Sequence, residues 1–285
     1  MISRSAGIVL SVVALSVVSR GAAGAQDPLK PAASTATTTP HHALPLLQDK
    51  IPEAYRKHVP LPYGVSLNYF RLDERLALSD AALVFNGQPV PSQLIQADSL
   101  RALTNSYTLR LDAWVLPFLN VYATGTRFTG DASDIQASVI GFPPVIPPSL
   151  AYHGSGVGAG LTAAFGYRAF FVSYDYSYHW QFMELPSNTV RVAIQGPRVG
   201  IQFTPWGFQG NVYVGAMKES IFGRQTGTIA VQGLGSIEFD IVATPEHAWN
   251  PTVGAEFAIT RHVRANIEAG FNGRKTVLLG AGYRF

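Results

Sequence analysis

The last eleven residues, 275–285, constrain the fold of this chain more than any other segment. Counted back from the end, every second residue is apolar: Phe285, Tyr283, Ala281, Leu279 and Val277. The residues between them are glycine, Thr276, Leu278 and Arg284. Because successive side chains of a strand point to opposite faces of a sheet, this segment predicts a strand with one fully apolar face. That face ends on an aromatic ring.

The same two-residue period recurs along most of the chain after residue 60. The alternating segments are 65–69, 107–113, 157–165, 170–182, 253–259 and 263–271, with weaker ones near 118–128 and 208–217. Charged residues make up 14% of the chain, against about 25% in a soluble domain. No later segment offers the ~18 consecutive apolar residues of a transmembrane helix. A membrane span must therefore be β, because only helices and closed barrels satisfy their backbone in lipid.

The C-terminal Tyr283-Arg284-Phe285 and the alternating segments of 61–285 resemble bacterial outer-membrane β-barrel proteins. The resemblance implies an all-β fold, a transmembrane antiparallel up-and-down β-barrel. It also implies that Tyr283 and Phe285 form an assembly signal, which the barrel-assembly machinery reads. Short and long connections alternate along the chain, as expected when periplasmic turns are short and outer loops are long. This pattern predicts about ten strands, with counts of eight and twelve left open.

The N-terminus carries the pattern of a secretory signal peptide over residues 1–25. Arg4 precedes a mostly apolar stretch from Gly7 to Val18, and Ala23-Gly24-Ala25 supplies a small-residue cleavage site. Residues 26–60 form a linker rich in Pro, Thr and Ala, a composition that cannot bury a core. The sequence therefore predicts a barrel over 61–285 in the bacterial outer membrane, a flexible linker in the periplasm and long extracellular loops.

Composition narrows the set of partners. Removal of Arg4 and Arg20 with the signal peptide leaves a net charge of +1, which gives no electrostatic case for nucleic acid. The chain has no cysteine, so thiol chemistry and cysteine-ligated metals are excluded. We expect no metal and no cofactor. The expected partners are outer-membrane lipid, lipopolysaccharide and the barrel-assembly machinery, and the expected state is a monomer.

The pattern also predicts details of the wall. Aromatic residues near strand ends predict two girdles, one of Trp114, Phe118, Tyr167, Phe203, Trp206 and Phe285, the other of Phe128, Trp180, Phe182 and Phe271. Apolar residues change from even to odd numbers between Ile194 and Val199, which predicts a β-bulge at Gly196-Pro197. Connections 72–104, 129–154 and 218–249 are predicted as long outer loops. Within them, 76–85 extends the wall or adds a hairpin, and 233–241 forms a hairpin.

The predicted inward face carries charges of both signs. Its candidate network consists of Arg110, Asp112, Asp175, His179, Arg198, Glu256, Arg264, Glu268 and Arg284. A barrel of ~8 strands is just filled by side chains, whereas 16–18 strands leave a channel. Ten strands lie near the filled limit, which favours a polar plug of ion pairs. A narrow pore lined by the same residues is the other interpretation, since rings of charge also select solutes.

The favoured function is a non-enzymatic barrel with a structural, surface or narrow-pore (porin-like) role. The alternative is an outer-membrane hydrolase that acts on lipid A or another lipid. His153 and Ser155 share one strand face, and His153-Gly154-Ser155 resembles the His-x-Ser element of outer-membrane lipid A deacylases. The next residue is Gly156, where that family usually has Asn, and no acid partner is assigned. Asp131, Asp134 and His153 lie in or beside the second outer loop, as in the Asp and Asp/His sites of omptin-like proteases, but no family motif surrounds them.

Overall fold

The computed structural model describes residues 44–47, 60–141, 149–183, 189–204, 209–231 and 235–285. The predicted signal peptide and most of the predicted linker lie outside these ranges. The described chain consists of thirteen strands and one short 3₁₀ helix, Ser92–Leu94. The strands are β1 (Tyr63–Phe85), β2 (Gln88–Pro89), β3 (Ile95–Leu116), β4 (Leu119–Val139), β5 (Ser149–Tyr167), β6 (Phe170–Met183), β7 (Thr189–Phe203), β8 (Gln209–Phe222), β9 (Gln225–Val231), β10 (Gly235–Pro245), β11 (Trp249–Ala258), β12 (Val263–Gly270) and β13 (Arg274–Arg284).

Ten of these strands close into an antiparallel barrel, which confirms the predicted fold and strand count. The barrel order is β1, β3, β4, β5, β6, β7, β8, β11, β12 and β13. Closure occurs where β1 pairs β13, from Gly64 opposite Arg284 to Glu74 opposite Arg274. A closed barrel has no unpaired edge, so every wall strand has hydrogen-bond partners on both sides. Within the described ranges, no helix is long and apolar enough to cross a bilayer.

Several wall strands continue well beyond the segments expected to cross the membrane. β1 continues to Phe85. Where its pairing with β13 ends, the same edge of β1 pairs with β10, from Leu76 opposite Pro245 to Phe85 opposite Ile237. β9 pairs β10 as an antiparallel hairpin. The segment 76–85 therefore extends the wall. The hairpin predicted over 233–241 has other bounds, because 235–241 belongs to β10 alone and its partner strand is β9. Much of the sequence assigned to outer loops is extended strand.

The predicted bulge at Gly196-Pro197 is wrong. The pairing of β7 with β6 runs without a register shift from Thr189 to Ile201. Even-numbered residues therefore point inward along the whole strand, and Val190, Val192 and Ile194 are buried inside the barrel. The apolar residues change parity because the apolar side of the wall changes from the inside to the outside along β7.

Two aromatic residues assigned to the girdles also point inward. Trp114 is 1% exposed and packs against Phe171 and Tyr213, and Phe128 is 1% exposed in the opposite half of the lumen. Both occupy even-numbered, inward positions of their strands. The other girdle residues that the structure describes, including Phe118, Tyr167, Trp180 and Phe271, are exposed or partly exposed on the outside. Trp206 lies outside the described residues.

The outer wall carries an apolar belt at the end of the barrel with the short turns. Its exposed side chains include Leu67, Leu109, Leu111, Val157, Leu161, Val172, Val199, Val214, Val253, Ile267 and Leu279. Inside the same part of the barrel most side chains are polar, with an aromatic cluster of Trp114, Phe171 and Tyr213 among them. An apolar outside around a polar inside is the pattern of a barrel that spans a membrane.

Candidate functional site

The lumen is filled by two layers of side chains, and the layer next to the short turns is polar. Arg284, on the last strand, donates from Nη1 to Asp112 Oδ2 at 3.0 Å and from Nε to the carbonyl oxygen of Leu61 at 2.8 Å. Its Nη2 donates to the carbonyl of Pro62 at 3.3 Å. Arg284 therefore fixes the segment before β1 across the end of the barrel.

Arg110 and Asp175 anchor the next part of this polar layer. Arg110 Nη2 donates to Asn120 Oδ1 at 2.8 Å, and the guanidinium lies 3.5 Å from the ring centroid of Tyr122. Tyr122 Oη and Thr162 Oγ1 each donate to Asp175, at 2.6 Å. These contacts join β3, β4, β5 and β6, so hydrogen bonds cross the inner surface of four consecutive strands.

The opposite wall carries two further ion pairs. Arg198 Nη2 lies 2.9 Å from Glu268 Oε2, which also accepts from Tyr213 Oη at 3.0 Å. Arg264 Nη1 lies 3.0 Å from Glu256 Oε1. His179 shares a 2.9 Å hydrogen bond with Ser177 on its own strand. The structure thus places all nine candidate residues on the inward face; the role of the network stays a prediction.

Glycines on β5 make room for these side chains. Gly158 and Gly160 point inward, and a Cβ at Gly160 would collide with the Tyr122 ring and the Tyr176 carbonyl. A Cβ at Gly158 would collide with the imidazole of His179. The glycine run in the sequence therefore permits the packing of two large residues from neighbouring strands across the lumen.

A buried triad separates the polar layer from the outer part of the lumen, and the sequence analysis missed it. Arg274 Nε lies 2.9 Å from Glu74 Oε2, and Arg274 Nη2 bonds Glu219. All three side chains are almost completely buried. Glu74 and Glu219 fell in the predicted outer loops 72–104 and 218–249, and Arg274 fell in a predicted tight turn, 272–274. The available signal was the inward position that each residue takes when its strand is continued with the same period of two.

The second layer is apolar and fills the end of the barrel with the long connections. Its buried members are Phe70, Leu72, Leu76, Leu78, Leu100, Ala102, Phe128, Ala132, Leu150, Tyr152, Met183, Val190, Val192, Ile194, Met217, Phe239, Ile241, Ala243 and Leu278. β10 contributes three of these residues and so packs over the mouth of the barrel. This apolar layer resembles the core of a soluble sheet protein, with polar residues outside and apolar residues inside.

His153 and Ser155 lie on the outward face of β5, where sequence parity predicted them. His153 is opposite Thr129 of β4, and Ser155 is opposite Arg127. Asp131 follows Thr129 by two residues on the same face of β4. It is therefore diagonal to His153, a separation of about 7–8 Å between Cα atoms that long side chains can cross. The sequence analysis did not connect this carboxylate with the Ser/His pair.

The proposed assembly residues lie on the outside of the last strand. Tyr283 and Phe285 are both about half exposed. Phe285 packs 5.9 Å from the ring of Tyr63, and Tyr283 stacks on His262 at 5.4 Å. Their assembly role remains a prediction. Among the described residues, no group of three His, Cys, Asp or Glu side chains could hold a metal ion.

Comparison with known proteins adds a likeness of shape. No protein-family model matches the chain, and no curated protein matches it. Among solved structures, the transport unit of the autotransporter AIDA-I from Escherichia coli is 9% identical, with a TM-score of 0.39, covering 79% of this chain and 90% of that chain. The translocator domain of NalP from Neisseria meningitidis is 11% identical, with a TM-score of 0.39 and coverages of 84% and 95%. OprG from Pseudomonas aeruginosa is 11% identical, with a TM-score of 0.37 and coverages of 79% and 96%.

These similar structures are bacterial outer-membrane β-barrels, as the chain was predicted to be. At such identities and TM-scores they carry no argument about activity, substrate or partner. The functional conclusion therefore rests on the lumen and on the outer surface of this chain.

Proposed function

We propose that this chain is an outer-membrane surface barrel that acts without catalysis and whose lumen is closed by its own side chains. The observation that carries the proposal is the filling of the lumen at two levels. Large residues of both layers, among them Arg110, Arg284, Trp114, Phe128 and Leu76, are less than 2% exposed. A continuous water path would leave the side chains that line it accessible to solvent.

The pairing of charges supports a plug over a selective pore. Arg198 is bonded to Glu268, Arg264 to Glu256 and Arg284 to Asp112. Pores select with rings of like charge that face the passing solute, whereas here each of these cations is neutralised by a neighbour in the wall. Leaving one partner of such a buried pair alone would be costly, so the pairs keep the layer closed.

The orientation belongs to the same proposal. Short turns face the periplasm in barrels of this class, and long connections face outward. The apolar layer and the β9–β10 hairpin then stand on the extracellular side, and the linker lies in the periplasm. The chain inserts as a monomer, with Tyr283 and Phe285 presented to the barrel-assembly machinery.

Conductance across a planar lipid bilayer tests the closed lumen. The full mature chain, refolded and inserted, should give no regular current steps, while a known channel-forming barrel in the same bilayer gives them. Heat-modifiable migration on gels would verify that the inserted protein is folded. Reproducible unitary steps from the folded wild-type chain would establish the narrow-pore interpretation and overturn the closed one.

A second candidate function is hydrolysis of a lipid by Ser155, and the position of Asp131 favours it. In a catalytic triad a carboxylate orients the histidine, and the histidine takes the proton of the serine. Ser155, His153 and Asp131 occupy one outward face of β4 and β5 at the long-connection end of the apolar belt. An ester bond of an outer-leaflet lipid would be the bond within reach.

Lipid A extracted from cells that express the chain tests this candidate. If Ser155 hydrolyses lipid A, mass spectrometry should show that lipid A lacks an acyl chain in cells with the wild type. Lipid A should keep that acyl chain in cells with Ser155→Ala or Asp131→Asn. Ser133→Ala serves as a matched control, since Ser133 lies on the same strand as Asp131 and takes no part in the proposed triad. Identical lipid A in all strains would exclude lipid A as the substrate of this site.

A further inference from the structure

Four basic side chains converge on the outer face of three adjacent strands. Lys275 of β13 is directly opposite Asp73 of β1, and Arg75 of β1 is directly opposite Arg101 of β3. Arg71 occupies the same outward face of β1, two residues before Asp73. We call Arg71, Arg75, Arg101 and Lys275 the basic patch. The carboxylate of Asp73 lies among these four cations, and the charge of Asp134 also acts on Arg101.

The carboxylate organises this patch. Arg101 donates to both oxygens of Asp73, from Nε at 2.8 Å and from Nη2 at 2.7 Å. Asp73 thus holds Arg101 in place, yet one carboxylate can neutralise only one of the four cations. Arg71, Arg75 and Lys275 form no ion pair within the described ranges.

The patch borders the apolar belt at the height of an aromatic pair. Tyr69 lies two residues before Arg71 on β1 and is directly opposite Tyr107 of β3. The two ring centroids are 5.4 Å apart, and Tyr69 Oη donates to Asn105 Oδ1 at 2.7 Å. On the other side of the pair, Leu67 and Leu109 are exposed in the belt, and Leu279 is exposed directly opposite Tyr69. Along β1, the outer surface therefore changes from residues that face acyl chains, through an aromatic ring at the interface, to cations that form no ion pair among the described residues.

We propose that the basic patch is a binding site for a phosphorylated glycolipid of the outer leaflet, whose phosphates bind Arg71, Arg75 and Lys275 while its acyl chains lie on the apolar belt. Guanidinium and ammonium groups form strong charge-assisted hydrogen bonds with phosphate. A phosphate group held there is anchored at the depth where the acyl chains begin. The site rests on the proposed orientation, which turns this end of the barrel outward, but not on the closed lumen, because it lies entirely on the outer wall.

Binding of lipid A to the full mature chain in detergent micelles tests the proposal. The probes are diphosphorylated lipid A, the same lipid freed of phosphate, phosphatidylglycerol and inorganic phosphate. We expect the wild type to bind diphosphorylated lipid A at least about tenfold more tightly than the other three, as measured by native mass spectrometry and calorimetry. Arg71→Gln with Lys275→Gln should remove about tenfold of this affinity or more, because two charge-assisted hydrogen bonds are lost.

Arg191→Gln is the matched control. Arg191 is exposed on the outer face of β7, five strands from β1 around the barrel, between Trp180 and Phe222. Its replacement should leave lipid binding unchanged. Heat-modifiable migration checks that every variant folds, and Arg75→Gln alone replaces the double variant if that one does not.

Three results would overturn the site. The first is equal affinity for phosphorylated and phosphate-free lipid A, and the second is an equal loss with Arg191→Gln. The third is equal binding of phosphatidylglycerol or inorganic phosphate, which would mean that the patch recognises any phosphate and not the glycolipid. Current recordings of the same variants separate this outcome from failure of the closed-lumen proposal, since the substitutions lie outside the lumen.

Discussion

At the scale of single residues, the lumen is held together by buried charges that each contact more than one strand. Arg284 of β13 bonds Asp112 of β3 and two carbonyls before β1. Arg198 of β7 bonds Glu268 of β12 across the barrel. A buried pair gives little net stability against an apolar pair of the same volume, but removal of one partner is strongly destabilising. These residues therefore specify which strands meet more than they add stability.

Replacement of Arg284 by glutamine should be among the most destabilising single changes in the polar layer. It removes the closer of the two cations beside Asp112, since Arg110 Nε lies 4.0 Å from Asp112 Oδ1, and it frees the carbonyls of Leu61 and Pro62. We expect a loss of about 3–5 kcal/mol in the free energy of unfolding. Urea unfolding of the refolded barrel in detergent, followed by tryptophan fluorescence, measures this loss.

Arg261→Gln is the control for that measurement. Arg261 is exposed in the turn between β11 and β12, and a surface change of this kind alters stability by about 0.5 kcal/mol or less. Similar unfolding midpoints for the two variants would mean that Arg284 is not a structural anchor of the polar layer.

At the scale of strands, one chain segment carries two opposite patterns. Along β1, Leu67 faces outward and Asn68 inward, whereas Arg75 faces outward and Leu76 inward. The period of two persists, but the apolar side changes from the lipid-facing surface to the interior. This inversion explains the errors of the sequence analysis. A search for apolar outer faces finds the membrane part of each strand and assigns the rest to loops.

The same inversion marks what sequence reasoning can recover. The membrane strands and their inward charges follow from parity, because lipid and lumen impose a fixed alternation. The count of about ten follows from the alternation of short and long connections. The predictions of a bulge at Gly196-Pro197 and of girdle positions for Trp114 and Phe128 were wrong. They rested on the assumption that apolar side chains always face lipid. The Glu74–Arg274–Glu219 triad was missed because all three of its members lay in predicted connections.

The β9–β10 hairpin should depend on one aromatic side chain. Phe239 of β10 is buried in the apolar layer and lies over Gly227 of β9, where a Cβ would collide with its ring. Truncation of a buried Phe to Ala costs about 3–5 kcal/mol. Since a hairpin is only marginally stable alone, Phe239→Ala should release β9–β10 while the ten-strand barrel stays folded.

Limited proteolysis followed by mass mapping measures this release. Cleavage within 225–245 should become much faster in Phe239→Ala than in the wild type, with gel migration of the folded barrel unchanged. Glu238→Ala is the matched control, because Glu238 is the exposed neighbour on the same strand. Equal cleavage rates in the three proteins would mean that the hairpin is held by its backbone pairing with β1 and not by the apolar layer.

At the scale of the whole molecule, the barrel combines a membrane-type half with a half built like a soluble β protein. The polar layer lies inside the apolar belt, and the apolar layer lies inside a wall with a polar outside. Each layer fills the lumen with different chemistry. The candidate surfaces for lipid, namely the basic patch and the Ser155 face, both lie at the junction of the two halves.

The absence of cysteine in the chain allows a direct test of closure over the whole lumen. Ser106 and Ser177 are fully buried on inward faces. Ser106 lies directly opposite Phe70 and Phe128 of the apolar layer, and Ser177 lies next to the polar network. Ser106→Cys and Ser177→Cys should each resist a charged, membrane-impermeant maleimide by at least about a hundredfold relative to Ser79→Cys, which is exposed on β1. This protection follows because a closely packed interior excludes a reagent of that size.

All three cysteines should react at similar rates in urea. Rapid labelling of Ser177→Cys alone in the folded barrel would reveal a water path from the periplasmic end, whereas labelling of both would show that neither layer closes the lumen.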